Sequence, residues 1–305
     1  MDIYDFNKIS NKDFRIGIVG LGLIGGSLAK AFREALPHSV IVAYNRRELP
    51  RKRAIEEGVA DIVTDKIDEK FADCDYIFLC TPVEYNAMYL KEIKAVMKES
   101  CIITDAGSTK TNIHEAVIAE NLEANFIGGH PMAGSEKAGY EFSTPWLYKN
   151  AYYVITPTPK TNMERLKELE MIVKSIGAKP VIIDDYKKHD YAVAGISHVP
   201  HVISAELANM VKYADTDDFL MKRLAANGFK DTTRIAASSP EMWQQICMTN
   251  KDNIVMLMDK YIERLTNARN RLAEGDSQFV YDLFTESREY RGQFGSRLSG
   301  NPNDL

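Results

Sequence analysis

A short apolar run that ends in closely spaced glycines constrains the fold of this chain more than any other feature. Residues 14–20 read FRIGIVG, an apolar run typical of a buried strand. The glycine-rich segment GLGLIGG follows, and the next residues, SLAKAFREAL, have the apolar spacing of a helix. GxGxxG is a weak signal alone, but between a strand and a helix it is typical of a loop that binds a dinucleotide.

Each glycine of this loop meets a separate structural requirement. Gly20 permits the tight turn, Gly22 lets the backbone approach a pyrophosphate, and Gly25 lets the helix pack closely on the strand. The helix that begins nearby presents unpaired N–H groups to the phosphates. We therefore predict that the loop, with Leu23 and Ile24 between its glycines, binds a nicotinamide dinucleotide.

The end of the second predicted strand bears on which nicotinamide cofactor is used. An acidic residue about 20 positions after the glycines would bind the adenosine ribose of NAD. Here the chain reads Asn45-Arg46-Arg47. Asn45 lacks the charge that would repel a 2′-phosphate, and either arginine could pair with one, unless both simply lie on a solvated loop. The pattern slightly favours acceptance of NADP without excluding NAD.

Strands and helices alternate through the first 186 residues. Apolar strands separated by helices predict a mostly parallel sheet covered on both faces. After residue 185 the pattern is helical. We therefore predict an α/β Rossmann-type domain over residues 1–186 and an all-α domain over residues 187–305. The predicted strands are residues 14–20, 39–44, 76–80, 101–105, 124–129, 151–157 and 180–185.

Composition excludes several classes of function. The net charge of −5 argues against nucleic acid as the main partner, since such binding needs a basic face. The amino-terminal residues lack a signal-peptide core, and no apolar run is long enough to span a membrane. The four cysteines are scattered and form no CxxC pair, which favours reduced thiols in a cytoplasm.

Three segments follow predicted strands at the sheet edge where open α/β folds bind ligands. CTPVE contributes Thr81 and Pro82 near the nicotinamide end of the cofactor. DAGSTK contributes Ser108, which could equally cap the next helix. GGHPMAGSEKAG fits neither helix nor strand and contributes His130, which we expect in a loop beside the cofactor. Imidazole titrates near neutrality and so suits removal of a proton from an alcohol that loses a hydride.

The helical half adds two further groups of candidates. His198 and His201 are three residues apart and would share one helix face. With His189 they could ligate a metal, but without a cysteine nearby we favour capping or core roles over a metal site. Asp231 and Arg234 could pair with each other, or Arg234 could hold a substrate carboxylate.

In combination these motifs resemble the prephenate dehydrogenase family, which also includes arogenate dehydrogenases. The resemblance covers nearly the whole chain and rests on five motifs in one order: GLGLIGGS, DAGSTK, GGHPMAGSEKAG, SHVPH and GFKDTTRIAASSPEMW. It implies NAD(P)-dependent oxidative decarboxylation of prephenate to 4-hydroxyphenylpyruvate, on the route to tyrosine. It also implies a homodimer formed through the helical domain, consistent with an apolar stripe from Ile254 to Leu272.

The resemblance also implies a role for each candidate residue. His130 would take the proton of the substrate hydroxyl, and Ser108 would bond the same hydroxyl. Arg234 would bind a carboxylate. Around the pocket between the domains, the resemblance places His198, His201, Ser135 and Glu136.

Two related enzymes remain as alternatives. Arogenate dehydrogenase acts on an amine where prephenate has a keto group, and no residue in the sequence identifies which of the two is bound. Another hydroxy-acid dehydrogenase would use a lysine base near Lys187 or Lys188 instead of His130.

Overall fold

The computed structural model describes residues 9, 12–135 and 137–294 of the chain. The chain divides into two compact units, residues 1–254 and residues 255–305. The strands are β1 Arg15–Val19, β2 Val40–Tyr44, β3 Ile62–Thr64, β4 Tyr76–Leu79, β5 Ile102–Asp105, β6 Ile127–Pro131, β7 Tyr152–Pro157 and β8 Lys179–Ile182. The helices are α1 Leu23–Ala35, α2 Glu48–Glu56, α3 Val83–Val96, α4 Thr111–Ala119, α5 Met163–Ser175, α6 Tyr186–Val193, α7 Val199–Ala214, α8 Leu220–Leu224, α9 Asn227–Thr233, α10 Pro240–Thr249, α11 Lys251–Ala273 and α12 Ser277–Gly292.

The first five strands form one parallel sheet in the order β3-β2-β1-β4-β5. Alternate residues of each central strand enter different hydrophobic clusters. Ile18 and Phe78 pack in one cluster, whereas Val19 and Ile77 pack in the other. Both faces of the sheet are therefore buried, which is why its strands read as continuous apolar runs. The predicted α/β fold with a helical carboxyl-terminal part is confirmed.

The last three strands form a second sheet that the sequence did not distinguish from the first. Its order is β6-β7-β8, with β6 antiparallel to β7 and β7 parallel to β8. A single parallel bridge from Ile103 to Phe126 joins it to β5. Periodicity reports whether a strand is buried but not its direction, so the antiparallel pair could not be predicted. The three-residue strand β3 was also missed, because it is too short to show a pattern.

The segment around His130 corrects the prediction that it forms neither helix nor strand. Residues 128–131 lie in β6, where His130 is opposite Val154 of β7. A side chain at Gly129 would place its Cβ 2.4 Å from the carbonyl oxygen of Asp105. The paired glycines therefore let β6 lie close to its neighbouring strands, a use of glycine that sequence patterns do not separate from a turn.

The chain becomes helical after β8. Between α6 and α7 the backbone forms a π-helix over Ala194–His198, and Pro200 lies in the first turn of α7. Single π-turns of this kind occur frequently at functional sites. No helix in the described part of the chain is both long enough and apolar enough to cross a membrane.

The second compact unit consists, in its described part, of α11 from residue 255 onward and of α12. An ion pair joins Arg264 to Glu286 across these helices at 3.7 Å. Many large apolar side chains of this unit remain exposed, including Leu265 at 55% and Phe284 at 67% of full accessibility. This much exposed apolar surface is unusual for a monomer in water.

Candidate active site

The glycine-rich loop has the form that binding of a dinucleotide requires. Gly20 adopts a φ of +105°, and a Cβ on Gly25 would lie 1.9 Å from the carbonyl oxygen of Gly20. Beside Gly22, by contrast, the space that a Cβ would occupy is open. Gly22 caps α1 without a side-chain hydrogen bond, and no acidic residue lies in the first turn. The helix therefore begins with N–H groups that no side chain caps and with open space beside them, which suits a pyrophosphate.

The end of β2 lies beside this loop and is held by hydrogen bonds. Asn45 donates from Nδ2 to the carbonyl of Leu21 at 3.1 Å, and its Oδ1 accepts from the backbone of Arg47 at 2.9 Å. Arg51, which sequence reasoning missed, donates to the carbonyls of Asn45 and Arg46. Two exposed guanidinium groups, those of Arg46 and Arg47, thus belong to a loop that a third arginine braces.

The segment after β4 begins α3. Thr81 bonds to the side-chain oxygen of Asn86 through both its backbone N–H, at 3.2 Å, and its hydroxyl, at 2.6 Å. Pro82 caps the helix and is exposed. Thr81 is also in contact range of the glycine loop, because a Cβ on Gly20 would lie 2.9 Å from its methyl group.

A buried ion pair closes the loop that contains Ser108. The ammonium of Lys110 bonds to Asp105, and both side chains are almost fully inaccessible. Asp105 also accepts the backbone N–H of Gly107 at 2.9 Å and that of Gly129 at 3.1 Å. The pair therefore fixes the half-buried Ser108 within residues 105–110 and ties this loop to β6.

Ser108 does not cap the following helix, although this role was open from the sequence. Lys110 is the N-cap of α4, and its side chain forms no capping bond. Asp190 takes the place of a local cap: its carboxylate accepts the N–H of Lys110 at 2.7 Å and that of Thr111 at 2.8 Å. A carboxylate at the positive end of a helix is stabilised by these bonds and by the helix dipole.

The same carboxylate begins a chain of hydrogen bonds that reaches His130. Oδ1 of Asp190 lies 2.8 Å from Nδ1 of His189, and Nε2 of His189 lies 2.9 Å from Nδ1 of His130. All three side chains are buried, with His130 the most accessible at 8%. We call this chain the Asp190 relay.

The Asp190 relay determines where the protons lie. Burial alone would raise the pKa of Asp190, but hydrogen bonds from His189 and from the start of α4 hold it below its ordinary value. The ionised carboxylate can only accept, so His189 carries its proton on Nδ1. When His189 is neutral, its Nε2 accepts from Nδ1 of His130. His130 is then left with an unprotonated Nε2, which is the atom that a general base needs.

Burial changes the expected titration of His130. It lowers the pKa of this imidazole well below its ordinary value, and the neighbouring His189 and Lys110 lower it further. His130 is therefore neutral at neutral pH, with its one proton on Nδ1. This corrects the expectation from the sequence that its imidazole titrates near neutrality. The relay offsets the loss of basicity, because a proton arriving at Nε2 is stabilised through His189 by the charge of Asp190.

His198 belongs to the same buried cluster and is linked to Asp190 through Asn250. Its Nδ1 lies 3.1 Å from the amide nitrogen of Asn250, which also bonds to the backbone carbonyl of Asp190 at 2.7 Å. Trp243 packs edge-on to His198, and it stacks on His201 with the ring centroids 3.7 Å apart. Burial is the main reason that the pKa of His198 is lowered to about 4.

His201 and Arg234 are electrostatic neighbours. The Nδ1 of His201 donates to the carbonyl of Ser197 at 2.8 Å. Burial lowers the pKa of His201; this hydrogen bond opposes the shift, and the charge of Arg234 adds to it. Arg234 begins a short 3₁₀ helix that ends at Ala237. A guanidinium beside an imidazole suits a pocket for an anionic group.

Two predicted residues remain, Ser135 and Glu136. Ser135 is exposed, and its hydroxyl accepts from the backbone of Lys137 at 3.0 Å. Glu136, also predicted at the pocket edge, lies outside the described residues.

Sequence reasoning missed the buried groups that organise the histidines. His189 entered only as a candidate metal ligand, and Asp190 and Asn250 did not enter at all. The available signal was a His-Asp pair in α6, the first helix after the last strand, because buried polar groups on a packed helix need hydrogen-bond partners. Nothing local marks Asn250 as a partner of His198 or of Asp190, because these residues lie 52 and 60 positions away.

Most of the chain matches a known protein family. Residues 28–182 match the family described as prephenate dehydrogenase, nucleotide-binding domain, and residues 185–286 match prephenate dehydrogenase, dimerization domain. The prephenate dehydrogenase of Bacillus subtilis (strain 168) is 33% identical over 287 residues, which cover 93% of this chain and 76% of that protein. The chain belongs to the prephenate dehydrogenase family.

Solved structures of the family share its fold. Prephenate dehydrogenase from Aquifex aeolicus, in complex with hydroxyphenyl propionate and NAD+, superposes with a TM-score of 0.86 at 29% identity, covering 92% of this chain and 98% of that one. Synechocystis arogenate dehydrogenase superposes with a TM-score of 0.81 at 30% identity, covering 92% and 100%. The chain is therefore an oxidoreductase of this family that uses a nicotinamide cofactor.

Proposed function

We propose that this member of the prephenate dehydrogenase family catalyses the NAD(P)-dependent oxidative decarboxylation of prephenate to 4-hydroxyphenylpyruvate, a step toward tyrosine. The single observation that carries the proposal is the Asp190 relay, which leaves an unprotonated Nε2 on His130. A base fixed in this way suits an alcohol that must lose its proton as its carbon is oxidised.

The chemistry divides among few groups. A bound nicotinamide would supply the acceptor for the hydride of the carbon that bears the ring hydroxyl. Nε2 of His130 takes the hydroxyl proton, and Ser108, in the loop closed by Asp105 and Lys110, bonds the same hydroxyl. The bond from the ring to its carboxylate then breaks, CO2 leaves, and the electron pair completes the aromatic ring. The ring oxygen, now a phenolate, takes the proton back from Nε2 of His130. The fixed donors and acceptors act mainly by holding the substrate in a reactive orientation.

The remaining predicted residues hold the anionic groups of the substrate. We propose that Arg234 binds a carboxylate and that His198 and His201 line the same pocket, because the charge of Arg234 acts on His201. Ser135 and Glu136 would form its edge. A dianion is recognised by fixed positive and N–H groups, and a guanidinium provides the most rigid of these.

The cofactor end supports acceptance of NADP as well as NAD. We propose that Gly20, Gly22 and Gly25, with Leu23 and Ile24, hold the pyrophosphate region, and that Thr81 and Pro82 lie near the nicotinamide. Asn45 leaves the end of β2 without a carboxylate to repel a 2′-phosphate, and Arg46 and Arg47 are exposed beside it.

The assembly we propose is a cytoplasmic homodimer. Residues 1–186 would form the dinucleotide-binding domain and residues 187–305 the helical domain, in accord with family matches that meet between residues 182 and 185. The exposed apolar side chains of α11 and α12 would be covered in the dimer, since burying such surface from water is favourable.

A steady-state assay that crosses prephenate and arogenate with NAD and NADP tests the proposal. We expect the highest kcat/KM with prephenate, with CO2 release and aromatic product in equal amounts. Higher kcat/KM with arogenate would establish the alternative suggested by the similarity to the Synechocystis enzyme. Turnover of neither substrate, with oxidation of a simple hydroxy acid instead, would overturn both.

A further inference from the structure

We propose that Asn250 is a positioning residue that fixes His198 as a hydrogen-bond donor, with its proton on Nε2. The inference deepens the proposed function and rests on it, because it takes His198 as part of the substrate pocket. Asn250 directly follows α10 as its C-cap and is only 4% exposed. Its side-chain amide makes three hydrogen bonds, one to each of three different partners.

The orientation of this amide follows from its partners. The atom 2.7 Å from the carbonyl oxygen of Asp190 must be a donor, because a carbonyl only accepts. That atom is therefore the nitrogen, and the amide oxygen is left to accept from Nδ2 of Asn253 at 2.8 Å. The same nitrogen lies 3.1 Å from Nδ1 of His198 and has a second hydrogen available for it. Nδ1 of His198 must then accept.

A neutral imidazole that accepts at Nδ1 carries its proton on Nε2. Burial and three side chains act on the charge of His198. Burial dominates and opposes the protonated form, Asp190 favours that form, and the nearby His189 and His201 oppose it. His198 is therefore neutral near pH 7, and its Nε2–H group donates without a positive charge.

His198 and His130 thus present the same ring atom, Nε2, in opposite hydrogen-bonding roles. His130 carries its proton on Nδ1 and offers a lone pair at Nε2, whereas His198 accepts at Nδ1 and offers an N–H at Nε2. A substrate with a hydroxyl to deprotonate requires a lone pair that accepts the proton. If it also has an anionic oxygen to hold, it requires an N–H group that donates to that oxygen. Both assignments depend on Asp190, through its carboxylate for His130 and through its backbone carbonyl for His198.

Nitrogen NMR tests the proton assignment without any substrate or cofactor. In protein labelled with ¹⁵N-histidine, two-bond ¹H–¹⁵N correlations distinguish protonated from unprotonated ring nitrogens. The His198 signals are identified by their loss in His198→Gln. We expect an unprotonated Nδ1 and a protonated Nε2 between pH 6 and pH 8. A neutral His198 with its proton on Nδ1, or a charged ring, would overturn the proposal.

Kinetics of Asn250→Asp test whether the assignment matters for binding. A carboxylate in place of the amide accepts rather than donates, so Nδ1 of His198 must become protonated. The ring can then donate from Nε2 only as an imidazolium. We expect the ratio of the variant's substrate KM to the wild-type KM to rise about tenfold as the pH increases from 6 to 8. The corresponding change in kcat should be smaller.

Thr249→Val provides the matched control, because Thr249 precedes Asn250 and bonds to Thr109 at 3.0 Å but to no histidine in the described part of the chain. Its KM profile should follow that of wild type. A wild-type profile for Asn250→Asp would contradict the positioning role, and if that variant does not fold, the NMR result decides. The expected NMR pattern without turnover of prephenate or arogenate would leave the proton assignment standing and the proposed function refuted.

Discussion

His130 and Arg46 both lie near carboxyl ends of strands, yet the protein holds them in opposite ways. His130 is buried and bonded through His189 to a carboxylate that also caps a helix. Arg46 is exposed, and its guanidinium lies 5.9 Å from the ring of Tyr85. Buried polar groups must be satisfied at fixed positions, whereas exposed charges keep their freedom and are screened by salt. The first region suits chemistry, and the second suits tolerant recognition of a cofactor.

The largest effect should come from removing the base. His130→Asn keeps a polar side chain of similar size but cannot accept a proton, so we expect kcat to fall by about 10³-fold. Cofactor affinity, followed by fluorescence of the reduced nicotinamide, should remain unchanged. Turnover within a few fold of wild type would remove His130 from the role of base.

Asp190→Asn separates the relay from the base itself. An amide can donate to Nδ1 of His189, which would reverse both imidazoles and place a proton on Nε2 of His130. We expect kcat to fall by about 10²-fold, less than for His130→Asn. A lower free energy of unfolding in Asp190→Asn, with kcat unchanged, would show that Asp190 serves only to cap α4.

The difference between the two regions also explains what the sequence could reveal. The cofactor loop is local: Gly20, Gly22 and Gly25 lie within six residues, and their spacing already specifies the turn and the helix start. The α/β fold was predictable for a similar reason, because the strands of the parallel sheet are buried apolar runs. Strand order and the family resemblance predict that His130 lies near a ligand, and the resemblance alone predicts this for His198.

What the sequence did not reveal depends on contacts between distant segments. The bonds from Asp190 to Lys110 and from Asn250 to His198 span 80 and 52 residues. Periodicity encodes neither these long-range pairs nor the antiparallel pairing of β6 with β7. The lowered pKa of His130 was unpredictable for the same reason, since burial is its main cause.

The pH dependence of folding stability compares buried with exposed histidines. Burial is the main cause that lowers the pKa of His114 to about 3 and that of His198 to about 4. The unfolded chain has ordinary histidines, so below about pH 6.5 it binds more protons than the folded protein. Stability should therefore fall as the pH drops from 6.5 to 5, by about 2 kcal/mol for each of these histidines.

Urea unfolding at several pH values measures this slope. His114→Gln keeps a polar partner for Thr156, which lies 2.9 Å from Nε2 of His114, but removes a titrating group. Its stability should depend less on pH than that of wild type. His38→Gln is the matched control, because His38 is exposed, and its slope should equal the wild-type slope. Parallel slopes for all three proteins would show that burial of His114 does not contribute to the acid sensitivity.

The smallest effect should come from the exposed arginines. Arg46→Ala should raise the Kd of NADP by about five- to tenfold and leave that of NAD nearly unchanged, because only the 2′-phosphate pairs with the guanidinium. Arg51→Ala gives the contrast: Arg51 braces the backbone of Asn45 and Arg46, so its loss should weaken both cofactors alike. The NADP effect of Arg46→Ala should shrink as salt is added, since exposed charges are screened. Equal loss of NAD and NADP in Arg46→Ala would assign Arg46 to the same bracing role as Arg51 and remove the argument for a 2′-phosphate site.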